Sequence, residues 1–395
     1  MYKLLVGIDV SKERFSAAGI DSGGKEAFSR AYTMDSKGFE ELLKAVRSHC
    51  EEDSKVLMSM ESTGCYHINL FSFLSSQGIG TLVVNPLLIS NYAKLSLRKT
   101  KTDKKDAMTI ARFLLDHHKE ISQLSISQDN QDLRDLSRER ESLSHLISAT
   151  KVEIKRMLRT TFPELETVGD VYTGVMLRLI QEYPSARLVR AAKLKGVIKL
   201  LKEPRRGNKL TYTAEDIYRA AKTSIATVSP GKEIILRGKV ATLLHLQERL
   251  EEITKLLTEL CQSTRMEELD ILQSIKGVGP NTAAPLLAEM GSIENFSSHK
   301  KLIAFAGLDP SVTESGQYIG ASRLSKRGNR HLRRAIYLMT TSVVSWNAWF
   351  KAYFQKRKAE GMAPQKALFA TAHKLIRVIF AMLSQRTYFK VKEAK

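Results

Sequence analysis

The first hundred residues alternate short apolar runs, which are typical of β-strands, with patterns of helical period. The run 4–8 is apolar or glycine at every position, as expected for a central strand that is covered on both faces. We therefore predict three strands in a meander, then strands that alternate with helices, with helices flanking a mixed sheet. The predicted strands are 3–10, 17–20, 27–32, 56–60 and 81–85, and the predicted helices are 36–49 and 68–77.

Helical patterns dominate after Asp103, where the strand signal almost disappears. Two long charged stretches, 128–159 and 230–265, predict a helical hairpin or a coiled-coil arm. The segment 160–229 predicts a smaller helical insert, and the chain ends in helices over 330–353 and 364–385. The predicted domains are 1–120, an α/β domain; 121–265, the helical coiled-coil arm with its insert; and 266–395, a mainly α-helical C-terminal domain.

The charge balance indicates a polyanionic partner or an acidic surface, because 395 residues include 62 Lys and Arg against 42 Asp and Glu, a net charge of +20. A hydrophobic fraction of 43% excludes general disorder, and three cysteines without CxxC spacing exclude a disulfide framework and a structural zinc site. The N-terminal apolar run is too short for a signal peptide, and no stretch approaches the roughly 20 apolar residues of a membrane span. We therefore expect a cytoplasmic protein.

Four carboxylates stand at the ends of predicted elements. Asp9 follows the first buried strand, Glu61 ends the strand VLMSM, and Asp103 and Asp106 share one face of a starting helix in KTDKKDA. Clustered oxygen ligands of this kind suit Mg²⁺ or Mn²⁺, and paired ions can clamp the attacking and leaving oxygens of a phosphodiester. The combination predicts metal-dependent phosphoryl transfer on nucleic acid.

Each acid also has a simpler interpretation when it is taken alone. Asp103 could cap a helix with Asp106 in a capping box, Asp9 could hold a turn through Ser11, and Glu61 could be one surface carboxylate among many. Only the combination is informative, and it resembles the ribonuclease H-like fold of resolvase (RuvC) type. The ATPase branch of that fold needs a second phosphate loop and a glycine-rich adenosine loop, and the sequence contains neither.

Positive charge concentrates beside the acids, where it could hold a nucleic-acid backbone over the metal ions or form an ordinary solvated face. The residues of this strip are Lys94, Arg98, Lys99, Lys101, Lys104 and Lys105. Further along, Lys276, Gly277 and Gly279 belong to a glycine turn between apolar helices, which resembles a helix-hairpin-helix phosphate site or is a structural turn.

Ser315 stands next to glycine in a predicted loop, and an arginine-rich helix start follows it. Such a serine could be a nucleophile that faces guanidinium groups, although Ser-Gly is also what ordinary loops contain. The basic residues that follow are Arg323, Lys326, Arg327, Arg330 and Arg333.

Six motifs of the chain together resemble the IS110-type transposases of bacterial insertion sequences. They are GIDVSK, MESTG, RKTKTDKKDA, IKGVGPNTAAPLLAEMG, FAGLDPSVTESGQ and SKRGNRHLRRA. The resemblance covers residues 1–120 and 266–345, and the middle matches by helical character only. It implies a RuvC-like domain with a DEDD acid set, a coiled-coil arm, and a transposase domain with a catalytic serine.

Carried over to this chain, the acid set corresponds to Asp9, Glu61, Asp103 and Asp106. Ser315 corresponds to the catalytic serine because it lies between GLDP and SKRGN, with Ser311, Ser322 and Ser325 as neighbouring alternatives. The family further implies Mg²⁺ as cofactor, donor and target DNA as substrates, a structured guide RNA, and a homo-oligomer such as a dimer or tetramer.

Three hypotheses on function follow from these observations. The first is an RNA-guided DNA recombinase that uses both the acids and the serine. The second is a metal-dependent junction endonuclease that hydrolyses DNA through the acids alone, and the third is a basic nucleic-acid-binding scaffold with a decayed site. Intact acids at all four positions argue against decay.

Overall fold

The N-terminal part of the computed structural model is a mixed α/β unit. Its strands are β1 (Leu4–Val10), β2 (Arg14–Asp21), β3 (Glu26–Thr33), β4 (Val56–Glu61) and β5 (Gly80–Val84). Its helices are α1 (Ser36–His49), α2 (His67–Ser76), α3 (Pro86–Ala93) and α4 (Asp103–Ile121). The residues that the structure describes are 2–61, 66–84, 86–93, 103–121, 128–202, 210–311, 314–315, 318–319 and 323–390.

The five strands form one sheet in the order β3-β2-β1-β4-β5. The first three strands are an antiparallel meander, and β4 and β5 run parallel to β1. One face packs on α1 and α2 through residues such as Leu42 and Leu70, and the other packs on α3 and α4 through Ile89 and Ile110. The predicted mixed sheet with flanking helices is confirmed.

The middle of the chain is an antiparallel pair of long helices with a helical insert at one end. The helices are α5 (Gln128–Thr161), α6 (Leu165–Val168), α7 (Gly174–Glu182), α8 (Ala186–Lys202), α9 (Ala214–Lys222) and α10 (Pro230–Gln273). The guanidinium of Arg140 in α5 donates to the hydroxyl of Thr254 in α10 at 3.1 Å. The amide of Thr227, just before α10, donates to the carbonyl of Thr160 at the end of α5, so the two helices run in opposite directions.

The C-terminal part is mainly helical, with four strands of two residues each. Its elements are α11 (Pro280–Met290), α12 (His299–Phe305), β6 (Pro310–Ser311), β7 (Glu314–Ser315), β8 (Tyr318–Ile319), β9 (Arg323–Leu324), α13 (Arg330–Trp346), α14 (Ala348–Ala359) and α15 (Pro364–Ser384). Its core also includes Leu133 from α5 and Leu257 from α10. The ends of both long helices therefore pack into the C-terminal core.

One helix of the described residues, α15, is long and apolar enough to cross a membrane by length and composition alone. This differs from the expectation that no stretch approaches such a length. Of the apolar window, 44% is buried in the protein, and residues such as Leu375, Ile376 and Ile379 lie in the C-terminal core. The apolar length of α15 thus includes the face that packs against the other C-terminal helices.

Candidate active site

Asp9 and Glu61 lie at the carboxyl edge of the parallel strands β1 and β4. The register pairs Ile8 with Met60, so the next residue on each strand is one of the two acids. Side chains alternate between the faces of a strand, and Leu57 of β4 belongs to the core on the α4 side. The acids therefore lie on the face that α4 covers, and both are half-buried.

Helix α4 contacts β1 closely and runs antiparallel to it. A Cβ atom built on Gly7 would lie 2.2 Å from the carbonyl oxygen of Ala107 and 2.2 Å from the amide nitrogen of Ala111. At the other end of the strand, the rings of Tyr2 and His118 meet edge to face with centroids 6.1 Å apart. The first turn of α4 therefore lies at the edge that carries the two acids.

The first turn of α4 carries the other two predicted acids. The helix begins at Asp103, and Asp106 is half-buried directly before the buried Ala107 that contacts Gly7. The side chain of Asp103 lies outside the described residues. The backbone thus brings the segment DKKD to the sheet edge of Asp9.

The donor set at this edge fits a hard divalent cation, because it consists of carboxylate oxygens. Ser59 pairs with Gly7 in the sheet register and lies two residues before Glu61. Its hydroxyl is buried and has no hydrogen-bond partner among the residues that the structure describes. Within the described ranges, which leave out the side chain of Asp103, no three His, Cys, Asp or Glu side chains are close enough to hold a metal ion. Among the described side chains, Asp9, Glu61 and Asp106 therefore share an edge without forming a three-ligand cluster.

The predicted basic strip is only partly described. Lys104 and Lys105 are exposed on the first turn of α4. The remaining members lie outside the described residues, and they are Lys94, Arg98, Lys99 and Lys101. Positive side chains therefore accompany the acids at the helix start.

Ser315 ends a short strand, whereas the sequence predicts a loop there. Strand β7 pairs antiparallel with β8, which places Ser315 opposite Tyr318 with two residues between them. Strand β6 pairs antiparallel with β9, so Ser311 stands opposite Arg323. The difference arises because two short strands can exchange backbone hydrogen bonds whatever their side chains. The side chains of Ser315 and Arg323 lie outside the described residues.

The predicted basic residues that follow strand β9 differ in their surroundings. Lys326, Arg327 and Arg330 are exposed, and Lys326 has a backbone φ of +53°. Arg333 instead donates from Nη1 to the carbonyl of Ala306 at 2.9 Å. The three exposed side chains can bind a phosphate at the surface, whereas Arg333 is hydrogen-bonded to the backbone that precedes β6.

A buried network fixes the start of α13 to α5, and its residues are not among those predicted from the sequence. The Asn329 carboxamide oxygen accepts from the amides of His331 and Leu332, and its Nδ2 donates to Glu289 at 2.8 Å. Glu289 is 1% exposed and also accepts from Arg138 of α5 at 2.8 and 3.1 Å. The capping role of an asparagine before a helical pattern has a sequence signal, whereas its bond to a distant glutamate has none.

The glycine turn joins α10 to α11, as predicted. Gly277 has a φ of +98°, and its carbonyl accepts from the hydroxyl of Ser342 in α13 at 2.7 Å. The amide of Gly279 donates to the hydroxyl of Thr282 at 3.1 Å, so that amide is already bonded within the chain. Lys276 is exposed beside the turn.

Two family models match the chain at its two ends. Residues 6–163 match a model described as a transposase, of the DEDD type of IS110. Residues 269–355 match a model described as a transposase of the IS116/IS110/IS902 family. The two matches together cover more than half of the chain.

Curated relatives align over nearly the whole chain. The "insertion element IS110 uncharacterized 43.6 kDa protein" of Streptomyces coelicolor is 24% identical, over 98% of this chain and 95% of its own length. The "pilin gene-inverting protein" of Moraxella bovis is 22% identical, over 98% of both chains. The "transposase for insertion sequence element IS1111A" of Coxiella burnetii is 25% identical, over 97% of this chain and 91% of its own length.

Proposed function

Since the chain belongs to the IS110/IS116/IS902 family of transposases, whose members catalyse DNA strand transfer, we propose that it cuts and rejoins DNA through metal-bound carboxylates and a serine nucleophile. The proposed ligands of Mg²⁺ or Mn²⁺ are Asp9, Glu61, Asp103 and Asp106. The proposed nucleophile is Ser315. The observation that carries the proposal is the close approach of α4 to Gly7, because it brings Asp106 toward the strand ends of Asp9 and Glu61.

The sheet order supports assigning the N-terminal domain to the ribonuclease H-like fold of RuvC type. The antiparallel meander and the parallel strands meet at β1, because β4 pairs with β1 and β5 pairs with β4. The carboxyl ends of β1 and β4 therefore lie side by side. Acids at those ends then face one helix. We also propose that α5 and α10, which form the arm, pack as a coiled coil.

The proposed chemistry conserves the energy of the phosphodiester. A bound divalent ion would polarise the phosphate and favour the ionised form of an attacking hydroxyl. The Ser315 hydroxyl gives up its proton to solvent and its oxygen bonds to phosphorus, the bond to the leaving sugar oxygen breaks, and that oxygen takes up a proton from solvent. Arg327 and Arg330 can offset the charge that develops on the phosphate oxygens. A hydroxyl of another strand then reverses the step and releases the serine, so no ATP is needed.

The proposed partners are donor and target DNA and a structured guide RNA. The net charge of +20 supports polyanionic partners, and the name of the pilin gene-inverting relative describes the inversion of a DNA segment, which requires cutting and rejoining. The guide RNA and a dimeric or tetrameric assembly follow from the family resemblance. We propose the cytoplasm as the site of action.

Trapping a covalent protein–DNA adduct tests this function. We expect the protein, incubated with labelled donor DNA and Mg²⁺, to yield an adduct that survives denaturation and maps to the peptide containing Ser315. Cleaved DNA without any adduct would instead favour the endonuclease that hydrolyses DNA through the acids alone. An adduct on another serine would move the nucleophile and keep the reaction type.

A further inference from the structure

The helical insert lies between the two regions that the family models match, 6–163 and 269–355. Its core is formed by α6 to α9 together with the facing parts of α5 and α10. The proposed DNA chemistry uses no residue of this insert. Helix α8 is its most charged element, because it contains six basic residues and no acidic one.

Two of these basic residues are bonded within the insert. Arg187 pairs with the buried carboxylate of Glu233 at 2.8 Å, and Arg190 donates to the carbonyl of Ala221 at 2.8 Å. The other four are lysines, and all of them are exposed. They are Lys193, Lys195, Lys199 and Lys202.

The backbone breaks within α8 and separates the arginines from three of the lysines. Lys193 has φ 59° and ψ 170°, a conformation that is strained for a residue with a side chain. In residues 194–202, Val197 and Leu200 are buried in the core of the insert. Strain of this kind persists only where the surrounding structure imposes it. The packing of the insert therefore fixes the direction of the second half of α8, residues 194–202.

Three lysines form one face of that second half. Lys195, Lys199 and Lys202 follow at spacings of four and three residues, which is one stripe of a helix, on the side opposite Val197. Among the described residues, no carboxylate lies within 4.0 Å of any of their ammonium groups. The stripe therefore presents positive charge to solvent without internal neutralisation.

A polar cavity adjoins this lysine stripe. It has a volume of about 470 Å³ and lies between the end of α7 and α8, with Arg178, Tyr183 and Lys199 among its lining residues. Gly196 lines the cavity without a side chain, and a Cβ atom there would lie 3.0 Å from the Cβ atom of Ala192 and 3.3 Å from the Tyr183 hydroxyl. Glu182 is the one carboxylate among the lining residues.

We propose that the lysine stripe of α8, with the adjoining cavity, is a binding site for the sugar–phosphate backbone of nucleic acid. Closely spaced lysines on a regular helix face neutralise successive phosphates and release their condensed counterions. Arg178 and Lys199 supply cations to the cavity wall, and the Tyr183 hydroxyl supplies a hydrogen-bond donor, so a phosphate can enter from the stripe. The site reads no sequence, because phosphate contacts position a nucleic acid without specifying bases.

Salt-dependent binding by the full-length protein tests the site. The probes are a random-sequence DNA duplex and an RNA hairpin of equal length, in EDTA, so that neither the acids nor Ser315 has a reaction to perform. We expect Lys195→Glu/Lys199→Glu to reduce the slope of log affinity against log salt by about 2 for a bound duplex, because two phosphate contacts are lost.

The matched control is Lys37→Glu/Lys44→Glu, which changes the net charge equally on two exposed lysines of α1, outside the insert. If Lys195→Glu/Lys199→Glu reduces the salt slope for the DNA duplex alone, the ligand is DNA. If it reduces the slope for the RNA hairpin alone, the ligand is RNA. If it reduces both slopes, the site binds the backbone that the two probes share. The neutral pair Lys195→Gln/Lys199→Gln should reduce the slope equally without adding repulsion. Equal slopes for the insert and control variants on both probes would overturn the proposal.

Discussion

Gly7 of β1 and Ala107 of α4 are in direct contact, and a Cβ atom on Gly7 would lie 2.2 Å from the Ala107 carbonyl oxygen. Ser59 stands beside Gly7 in the sheet, so small residues line the strand side of this contact. The helix side is equally small, because Ala111 follows Ala107 one turn later and both are fully buried. This contact determines how closely Asp106 approaches the strand ends.

Replacing Gly7 with Ala should destabilise the N-terminal domain and reduce DNA cleavage, because the added methyl must push α4 away from the sheet. Overpacking of this kind costs about 1–3 kcal/mol. Thermal unfolding measures the loss of stability, and a strand-cleavage assay measures the effect on the site. Gly238→Ala is the control, since within the described part of the chain a Cβ there meets nothing within 4 Å beyond its chain neighbours and the backbone of its own helix, and alanine favours the helix. An unchanged melting temperature for Gly7→Ala would contradict the predicted clash.

Neutralising any acid of the set should abolish DNA cleavage while nucleic-acid binding persists. The variants are Asp9→Asn, Glu61→Gln, Asp103→Asn and Asp106→Asn. Each removes one anionic metal ligand and leaves the basic surfaces intact. Cleavage in Mg²⁺ and binding in EDTA are measured on the same preparations. Normal cleavage by two of the four variants would rule out a shared metal site.

Ser315→Ala should remove both the covalent adduct and recombination while folding and DNA binding persist, because alanine preserves a short strand but offers no nucleophile. Ser325→Ala is an informative control, since the Ser325 hydroxyl donates to Asp309 at 2.5 Å and so has a structural bond. Ser311→Ala and Ser322→Ala complete the comparison. Full activity of Ser315→Ala with loss in one of the others would reassign the nucleophile.

Removing the Glu289 carboxylate should loosen the start of α13. Glu289→Ala leaves the Asn329 amide and the Arg138 guanidinium without their shared acceptor, at a cost of about 1–3 kcal/mol. Asn329→Ala removes the helix cap as well, at about 0.5–2 kcal/mol. Because both variants break one network, their combined loss of stability in thermal unfolding should be smaller than the sum. Strict additivity would show that the two residues act independently.

The insert should contain an acid-sensitive ion pair. Burial opposes ionisation of Glu233, but hydrogen bonds from Ser185 and Arg187 outweigh it and lower the pKa of Glu233 below its ordinary value of 4.5. Its stabilising contribution is therefore complete above pH 4.5 and disappears as the pH falls through the lower native pKa. Glu233→Gln should melt at a lower temperature than the unmodified protein at neutral pH, and the gap should narrow in acid. A difference in melting temperature that stays constant down to strong acid would contradict a stabilising contribution from ionised Glu233.

Local pattern determined most elements of this chain. The predicted helix 36–49 coincides with α1, and the strand prediction 56–60 differs from β4 by one residue. These segments succeed because burial on one or two faces imposes a period of residue types along the chain. The same periodicity put Asp9 and Glu61 at strand ends before any neighbour was known.

Local hydrogen bonds decided some features that apolar periodicity does not encode. The sequence predicts continuous helical structure over 330–353, but Asn347 ends α13 and caps α14 with its side chain. Ser315 joins a strand through pairing with Tyr318, a residue that no local pattern selects. In both cases a backbone group obtained a hydrogen-bond partner two or three residues along the chain, and apolar periodicity does not report such partners.

The candidate site divides between what residue type indicates and what tertiary contacts decide. Residue types and spacing indicated the four acids and the basic neighbours, and the family resemblance indicated the serine, because residue type fixes which side chains can be ligands, nucleophiles or cations. Only the tertiary structure revealed that Gly7 admits α4 to the sheet and that Glu289 ties α13 to α5. A glycine in a strand and a glutamate in a helix acquire such roles from partners far along the chain, and sequence periodicity reports which positions are buried but not against what.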